Sequence, residues 1–154
     1  MSVVQITFED AGYGDELTAP LIRELQDDLR RRYGGPDETP VDPAQFVPPH
    51  GTFVVARVDG EVAACAGLRR HDDETVELKR MYVRDAYRRR GLASLLLVEL
   101  ENRSRGAGYQ RLALETGLAQ PEAVALYERH GYQPHPGFGH YADSELARPY
   151  VKDL

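Results

Sequence analysis

Three consecutive arginines, Arg88, Arg89 and Arg90, stand directly before Gly91 and a leucine-rich stretch. The run from Glu77 to Leu100 reads as a strand, a basic turn and an amphipathic helix, with Ala93, Leu96, Leu97 and Leu100 at i, i+3, i+4 and i+7. The first N–H groups of a helix have no acceptor inside it and point outward, so a strand feeding such a turn makes an anion site. Gly91 lets the backbone come close to a ligand. The apolar helix face packs on the sheet and fixes the turn.

The strand before this turn breaks the strict alternation of a β-strand. Leu78 and Met81 are three apart, whereas Met81 and Val83 are two apart. One extra residue near Lys79–Arg80, a β-bulge, brings Leu78 and Met81 to one face; the alternative is a strand buried on both faces. A bulge leaves backbone groups unpaired, which suits a position beside a reacting centre.

Other chemistries find less support. His50, His71, His130, His135 and His140 show no paired metal-ligand spacing, so no metal is expected. Cys65 lies between alanines in a strand and reads as core, and no serine sits in a nucleophile elbow. The turn lacks the Gly-Lys-Ser/Thr ending of a nucleotide-triphosphate loop. The chain of 154 residues carries a formal charge of −6, which argues against a nucleic-acid partner while concentrating positive charge at Arg88 to Arg90. The acidic remainder either favours a cationic substrate or merely keeps the surface soluble. No apolar run approaches the ~18 residues of a membrane span. A single cysteine, with no secretion-type leader, points to the cytoplasm.

The elements that must position the turn follow in order. Val3 to Phe8 alternates as an opening strand, and Leu17, Leu21, Leu25 and Leu29 mark a helix over Asp15–Arg32, closed by Arg30, Arg31 and Arg32 at its negative end. Tyr33 to Gly51 holds half of the prolines and reads as a long loop with at most a short turn at Pro43–Phe46; its Phe46 either covers a substrate pocket or plugs the core. Thr52–Val58 and Glu61–Arg69 form a hairpin about Asp59-Gly60, and Thr75–Val83 returns beside them. Arg111–Glu115 follows the central helix through a right-handed crossover, which makes it parallel to Thr75–Val83. Ligands of such sheets lie beyond the carboxyl ends of the strands, near Tyr82, Val83, Glu115 and Thr116. Pro121–His130 is a shorter helix stopped by Gly131, and Glu145–Leu154 is a last strand.

The run Arg88-Arg89-Arg90-Gly91-Leu92-Ala93 resembles the acyl-coenzyme A signature of the GNAT superfamily of N-acetyltransferases, and Ala125-Leu126-Tyr127-Glu128-Arg129-His130-Gly131-Tyr132 resembles its second landmark. The resemblance covers at least Phe53 to Tyr132. It implies one α/β domain over residues 1–154, with a mixed, mostly antiparallel sheet and helices on both faces. The last strand then pairs with Arg111–Glu115. The cosubstrate implied is acetyl-coenzyme A, held by Arg88, Arg89, Arg90, Gly91, Leu92, Ala93 and Ser94. A backbone N–H among Met81, Tyr82 and Val83 is expected at the thioester oxygen. Gln120 replaces the asparagine that many members place at the start of the late helix.

Glu77 is the expected base, directly or through water, against a plain reading as a strand carboxylate paired with Lys79 or Arg69; Glu115 is the second candidate. Tyr127 is the expected acid toward the leaving thiolate, against a plain reading as core. The expected activity is direct acetyl transfer to the primary amine of a small molecule, with no acyl-enzyme, no nucleic acid and no membrane involved, and with room for a homodimer. A non-catalytic acyl-coenzyme A sensor needs the turn but neither Glu77 nor Tyr127. A peptide or protein N-acetyltransferase needs an open groove, which the Tyr33 to Gly51 loop is able to close.

Overall fold

The computed structural model describes residues 3–136, 140–141 and 144–154. The chain runs β1 (Ile6–Asp10), α1 (Ala19–Tyr33), β2 (Gly51–Val58), β3 (Glu61–Arg70), β4 (Thr75–Val83), α2 (Leu92–Gly106), β5 (Arg111–Gly117), α3 (Pro121–Arg129), β6 (Gln133–Pro134) and β7 (Ala147–Asp153). Seven strands form one sheet in the order β1-β2-β3-β4-β5-β7-β6. All neighbours are antiparallel except β4 and β5.

Alternation in the inner strands feeds two cores. Val54, Ala56 and Leu78 face one side with Leu96, Leu97, Leu100 and Leu126 of α2 and α3. Phe53, Val55 and Cys65 face the other with Leu21 and Leu25 of α1. Helices therefore cover both faces, as the resemblance implies. Burying Leu96, Leu97 and Leu100 completely is worth roughly 2 kcal/mol per side chain, enough to fix the N-terminus of α2 against the sheet.

Several boundaries differ from the sequence reading. The opening strand starts at Ile6, later than Val3, because its partner β2 ends at Val58 in register with Ile6. The first helix starts at Ala19 because Pro20 sets its first turn and Thr18 uses its hydroxyl to bond Gly12 O at 2.7 Å. The Pro43–Phe46 segment is a single 3₁₀ turn, closed by Asp42 and Gln45 in a reciprocal capping box. Phe46 is 2 % exposed and packs on Tyr13 and Phe53 with ring centroids at 5.3 and 5.7 Å. It is thus the core plug of the two readings. Gly67 makes room for it: a Cβ there would lie 2.6 Å from the Phe46 ring.

The bulge is present. Cys65 pairs with Tyr82 and Gly67 with Lys79, so β4 carries one residue more than β3 across this step. Arg80 takes the left-handed conformation at φ 57°, and Leu78 and Met81 then share the face of α2 and α3. Below the bulge β4 pairs with β5 over Thr75–Glu77 and Arg111–Ala113; above it the two strands part.

Candidate active site

The parting of β4 and β5 opens a cleft of about 1190 Å³. Its walls come from β4 beyond Leu78, β5 beyond Leu114, the start of α2, α3, and the segment after α1. Among the described residues, two of the three non-glycine positions with positive φ border it: Arg80 in the bulge and Arg89 in the basic turn. Strained backbone held in place by surrounding structure is a mark of a working site.

At one end lies the basic turn. Arg88 bonds back to Asp85, Leu95 donates to Gly91 O, and among the described residues the backbone N–H groups of Arg89 to Ser94 have no acceptor. Arg89 at φ 63° and Gly91 at φ 77° turn this row of donors outward, and a Cβ on Gly91 would meet nothing within 4 Å. The row and the dipole of α2 together suit a pyrophosphate. The arginines divide their work. Arg88 donates from Nε to Val83 O at 2.9 Å and lies over the Tyr82 ring, Arg90 lies over Tyr87, and Arg88 and Arg89 line the cleft. Leu92 is buried in the core, Ala93 packs against it, and Ser94 Oγ lies 3.0 Å from His130 Nε2. The His130 contact has no signature in the sequence, since the two residues meet only through the packing of α2 on α3.

In the middle, Arg84 donates to Ala63 O at 2.8 Å, which points the N–H of Arg84 toward β3. Alternation along an extended chain then turns the N–H groups of Val83 and Met81 the other way, toward the side that β5 has left. Tyr127 is buried and lines the cleft; its hydroxyl reaches Met81 Sδ at 3.9 Å, and its ring meets Tyr132 edge-on at 5.6 Å. Burial pushes its hydroxyl pKa well up. Gln120 sits at the head of α3, where its Oε1 accepts from Tyr33 at 3.0 Å. Gly117 permits that contact, because a Cβ there would strike the Tyr33 hydroxyl.

At the far end are charged side chains. Glu77 is 5 % exposed, with Oε1 accepting from Arg69 Nε at 2.8 Å, and it lines a smaller depression with Thr39, Pro40 and Gln45 rather than the main cleft. Glu115 lines the main cleft, and its Oε2 is buried without a hydrogen-bond partner. Burial holds the Glu115 carboxyl above its ordinary range; Lys79 and the backbone N–H of Tyr141 oppose this, and Glu77 and Asp37 add to it.

Asp37, from the proline-rich loop, was not among the expected residues. Its Oδ2 faces Lys79 Nζ at 3.2 Å and Arg80 Nε at 3.4 Å; its Oδ1 accepts from the Thr39 hydroxyl at 2.7 Å and from Tyr141 at 3.1 Å. Burial works against the charged form, but Lys79, the Thr39 hydrogen bonds and Arg80 outweigh it and bring the Asp37 carboxyl down to about 2. Tyr141 also accepts from Glu38 N at 2.6 Å, so two loops are joined across the cleft. Among the described residues no three His, Cys, Asp or Glu side chains converge to hold a metal ion.

Comparisons with known proteins agree with this geometry. The model of the acetyltransferase (GNAT) family matches residues 21–132. An IAA acetyltransferase of Azospirillum brasilense is 32 % identical over 135 residues, covering 87 % of this chain and 88 % of its own length. The crystal structure of an acyl-CoA N-acyltransferase from Klebsiella pneumoniae superposes with a TM-score of 0.81 at 29 % identity, covering 97 % of both chains. A GNAT family acetyltransferase of Elizabethkingia anophelis, solved with acetyl-CoA bound, shares the fold at a TM-score of 0.72 and 18 % identity, covering 97 % of this chain and 98 % of that one.

Proposed function

The chain belongs to the acetyltransferase (GNAT) family, and from that premise we propose that it moves the acetyl group of acetyl-CoA directly to the primary amine of a small molecule. One observation carries this reading. The row of open N–H groups at Arg89 to Ser94 and the unpaired carboxylate oxygen of Glu115 belong to one cleft, with Tyr127 in its wall.

Acetyl-CoA supplies an acyl group already activated as a thioester. The chain's own groups do the rest. The N–H groups of Arg89 to Ser94 hold the pyrophosphate, and the side chains of Arg88 and Arg89 add positive charge beside it. The N–H of Val83 or Met81, on the side left open by β5, receives the carbonyl oxygen as it gains charge; one such donor is typically worth ~3–4 kcal/mol in the transition state. An amine of pKa near ~10 arrives protonated and must lose that proton before it attacks. Glu115 Oε2 is placed to take it, since burial raises its affinity for a proton toward working pH. Glu77, the base expected from the sequence, is closed against Arg69 and would act only through water. As the N–C bond forms and the C–S bond breaks, the Tyr127 hydroxyl donates to the departing sulfur.

The loop clasp of Asp37, Glu38 and Tyr141 favours a small acceptor over a peptide, because it bridges the groove that an extended chain would need. The test is thiol release from acetyl-CoA across a panel of primary amines, with the acetylated product identified by mass. The expected result is amine-dependent release. Tight acetyl-CoA binding with no product from any amine would leave the sensing module in its place.

A further inference from the structure

Among the described residues, the buried side-chain nitrogen and oxygen atoms that lack a hydrogen-bond partner are Arg80 Nε, Arg80 Nη1 and Glu115 Oε2. All three belong to residues of the main cleft. They are of opposite kinds: Arg80 offers donors and seeks an anion, whereas Glu115 offers an acceptor and seeks a cation. Leaving such groups unpaired away from water is costly, and more so for a charge.

Neighbouring residues do not satisfy Arg80. The Arg80 side chain is 3 % exposed, and among the described residues its hydrogen bond runs from Nη2 to Thr39 O at 3.0 Å. Asp37 approaches Nε at 3.4 Å, but that carboxylate is already shared among Lys79, Thr39 and Tyr141. Glu77, on the same strand, is taken by Arg69. Arg80 thus keeps two unpaired nitrogens beside Lys79 and Asp37, in the cleft that also holds the unpaired oxygen of Glu115.

We propose that the acceptor is an amino acid or a close relative, its amine received by Glu115 and its carboxylate by Arg80 with Lys79 beside it. A zwitterion matches the cleft with one charge of each sign. A lone amine leaves Arg80 unsatisfied, and a phosphate dianion brings excess negative charge against Asp37. The free nitrogens of Arg80 lie out of contact with solvent, so a bound carboxylate reaches them only as the side chain shifts toward the cleft. A charge-assisted hydrogen bond is strong under those conditions. This deepens the acetyl-transfer reading and rests on it for the role of the amine, but the recognition of the acid is separable from catalysis.

The test uses the full chain saturated with coenzyme A and pairs of ligands that differ only in the carboxylate: alanine with ethylamine, leucine with isoamylamine, phenylalanine with 2-phenylethylamine. Calorimetry gives the ratio of affinities within each pair, and the aminophosphonate analogue of alanine supplies the phosphate arm. At least one pair should favour the amino acid by about 10- to 100-fold, the range of a charge-assisted bond. Arg80→Gln should bring that ratio close to one, and Arg80→Lys should restore part of it. Coenzyme A affinity and melting temperature are measured alongside, and if Arg80→Gln does not fold, the wild-type ratios and Arg80→Lys still decide. No preference in any pair, an undiminished preference in Arg80→Gln, or tighter binding of the phosphonate overturns the proposal. Acetylation of amines without carboxylate preference sinks this inference and leaves the transferase reading intact. A clear preference with no acetylated product does the reverse.

Discussion

The two ends of the cleft are built from different materials. The proposed cofactor end is mostly backbone: Arg89 to Ser94 offer N–H groups, and two of the three arginine side chains also make local contacts, Arg88 with Val83 O and Arg90 with the Tyr87 ring. The proposed acceptor end is side chain: Asp37, Lys79, Arg80 and Glu115 come from a loop and two strands and meet only in the folded state. A backbone site tolerates most changes of side chain but not a change of backbone access. A side-chain site is the opposite, so the two ends should respond differently to the same kind of substitution.

The largest effect is expected at the backbone end. Gly91→Glu should abolish acetyl-CoA binding by calorimetry, because the residue sits at φ 77° with open space where the phosphate would come, and the change adds bulk and negative charge there. Arg90→Ala, a loss of side chain alone, should weaken binding only modestly. Equal losses from the two variants would end the distinction between a backbone end and a side-chain end.

Next comes the carboxylate at the acceptor end. Glu115→Gln should lower turnover by ~10²–10⁴-fold near neutral pH, and the deficit should shrink as pH rises and the amine deprotonates unaided. Since burial raises the Glu115 pKa, wild-type activity should climb with pH through that raised value. Glu77→Gln should cost less and leave the shape of the pH–rate profile unchanged. A profile that flattens in Glu77→Gln and not in Glu115→Gln would return the base to Glu77.

The same contrast explains what could be read from the sequence. The basic turn, the bulge and the helices are local, and their signals sit within a few residues of the structure they produce: three arginines before a glycine, or a three-residue step among twos. The proposed preference for Glu115 over Glu77 is not local. It depends on Arg69 reaching across from β3 to close one carboxylate while β5 turns the other into the cleft. Asp37 was invisible for the same reason, since its partners lie 42 and 104 residues away at Lys79 and Tyr141. Phe46 could have been lid or plug until Gly67 left room for its ring.

Asp37 offers a smaller, structural test of the side-chain end. Its carboxyl drops from an ordinary 3.8 to about 2 on folding. At about 1.36 kcal/mol per pH unit, that gap is worth about 2 kcal/mol. A depressed pKa contributes stability that is fully present above the unfolded value and is lost as pH falls through the folded one. Asp37→Asn should therefore lower the unfolding free energy by about 2 kcal/mol at pH 7, and the difference from wild type should fade between about pH 4 and pH 2. Urea titrations at several pH values would show it. A difference that stays constant down to pH 2 would mean that Asp37 acts by shape and not by charge.

Tyr127 is where the two ends meet, and it should give the smallest effect. Among the described residues the hydrogen-bond partner of its hydroxyl is a sulfur, Met81 Sδ at 3.9 Å, a weak acceptor. Replacing it with phenylalanine therefore removes little that holds the fold, less than about 1 kcal/mol, while the ring keeps its packing on Tyr132. The catalytic argument runs through the same burial. A free tyrosine at pKa ~10 is already a weaker acid than a thiol at ~8.5, and burial raises Tyr127 further. Complete proton transfer to the leaving thiolate is uphill. A hydrogen bond to the charge developing on sulfur is not, and it replaces a poor partner by a better one. Tyr127→Phe should therefore keep the melting temperature and coenzyme A affinity while kcat falls at least ~10-fold, the low side of acid catalysis. All three should be measured on one preparation. Normal turnover would remove the hydroxyl from the mechanism, and a joint loss of stability and rate would make Tyr127 a core residue whose place in the cleft wall is incidental.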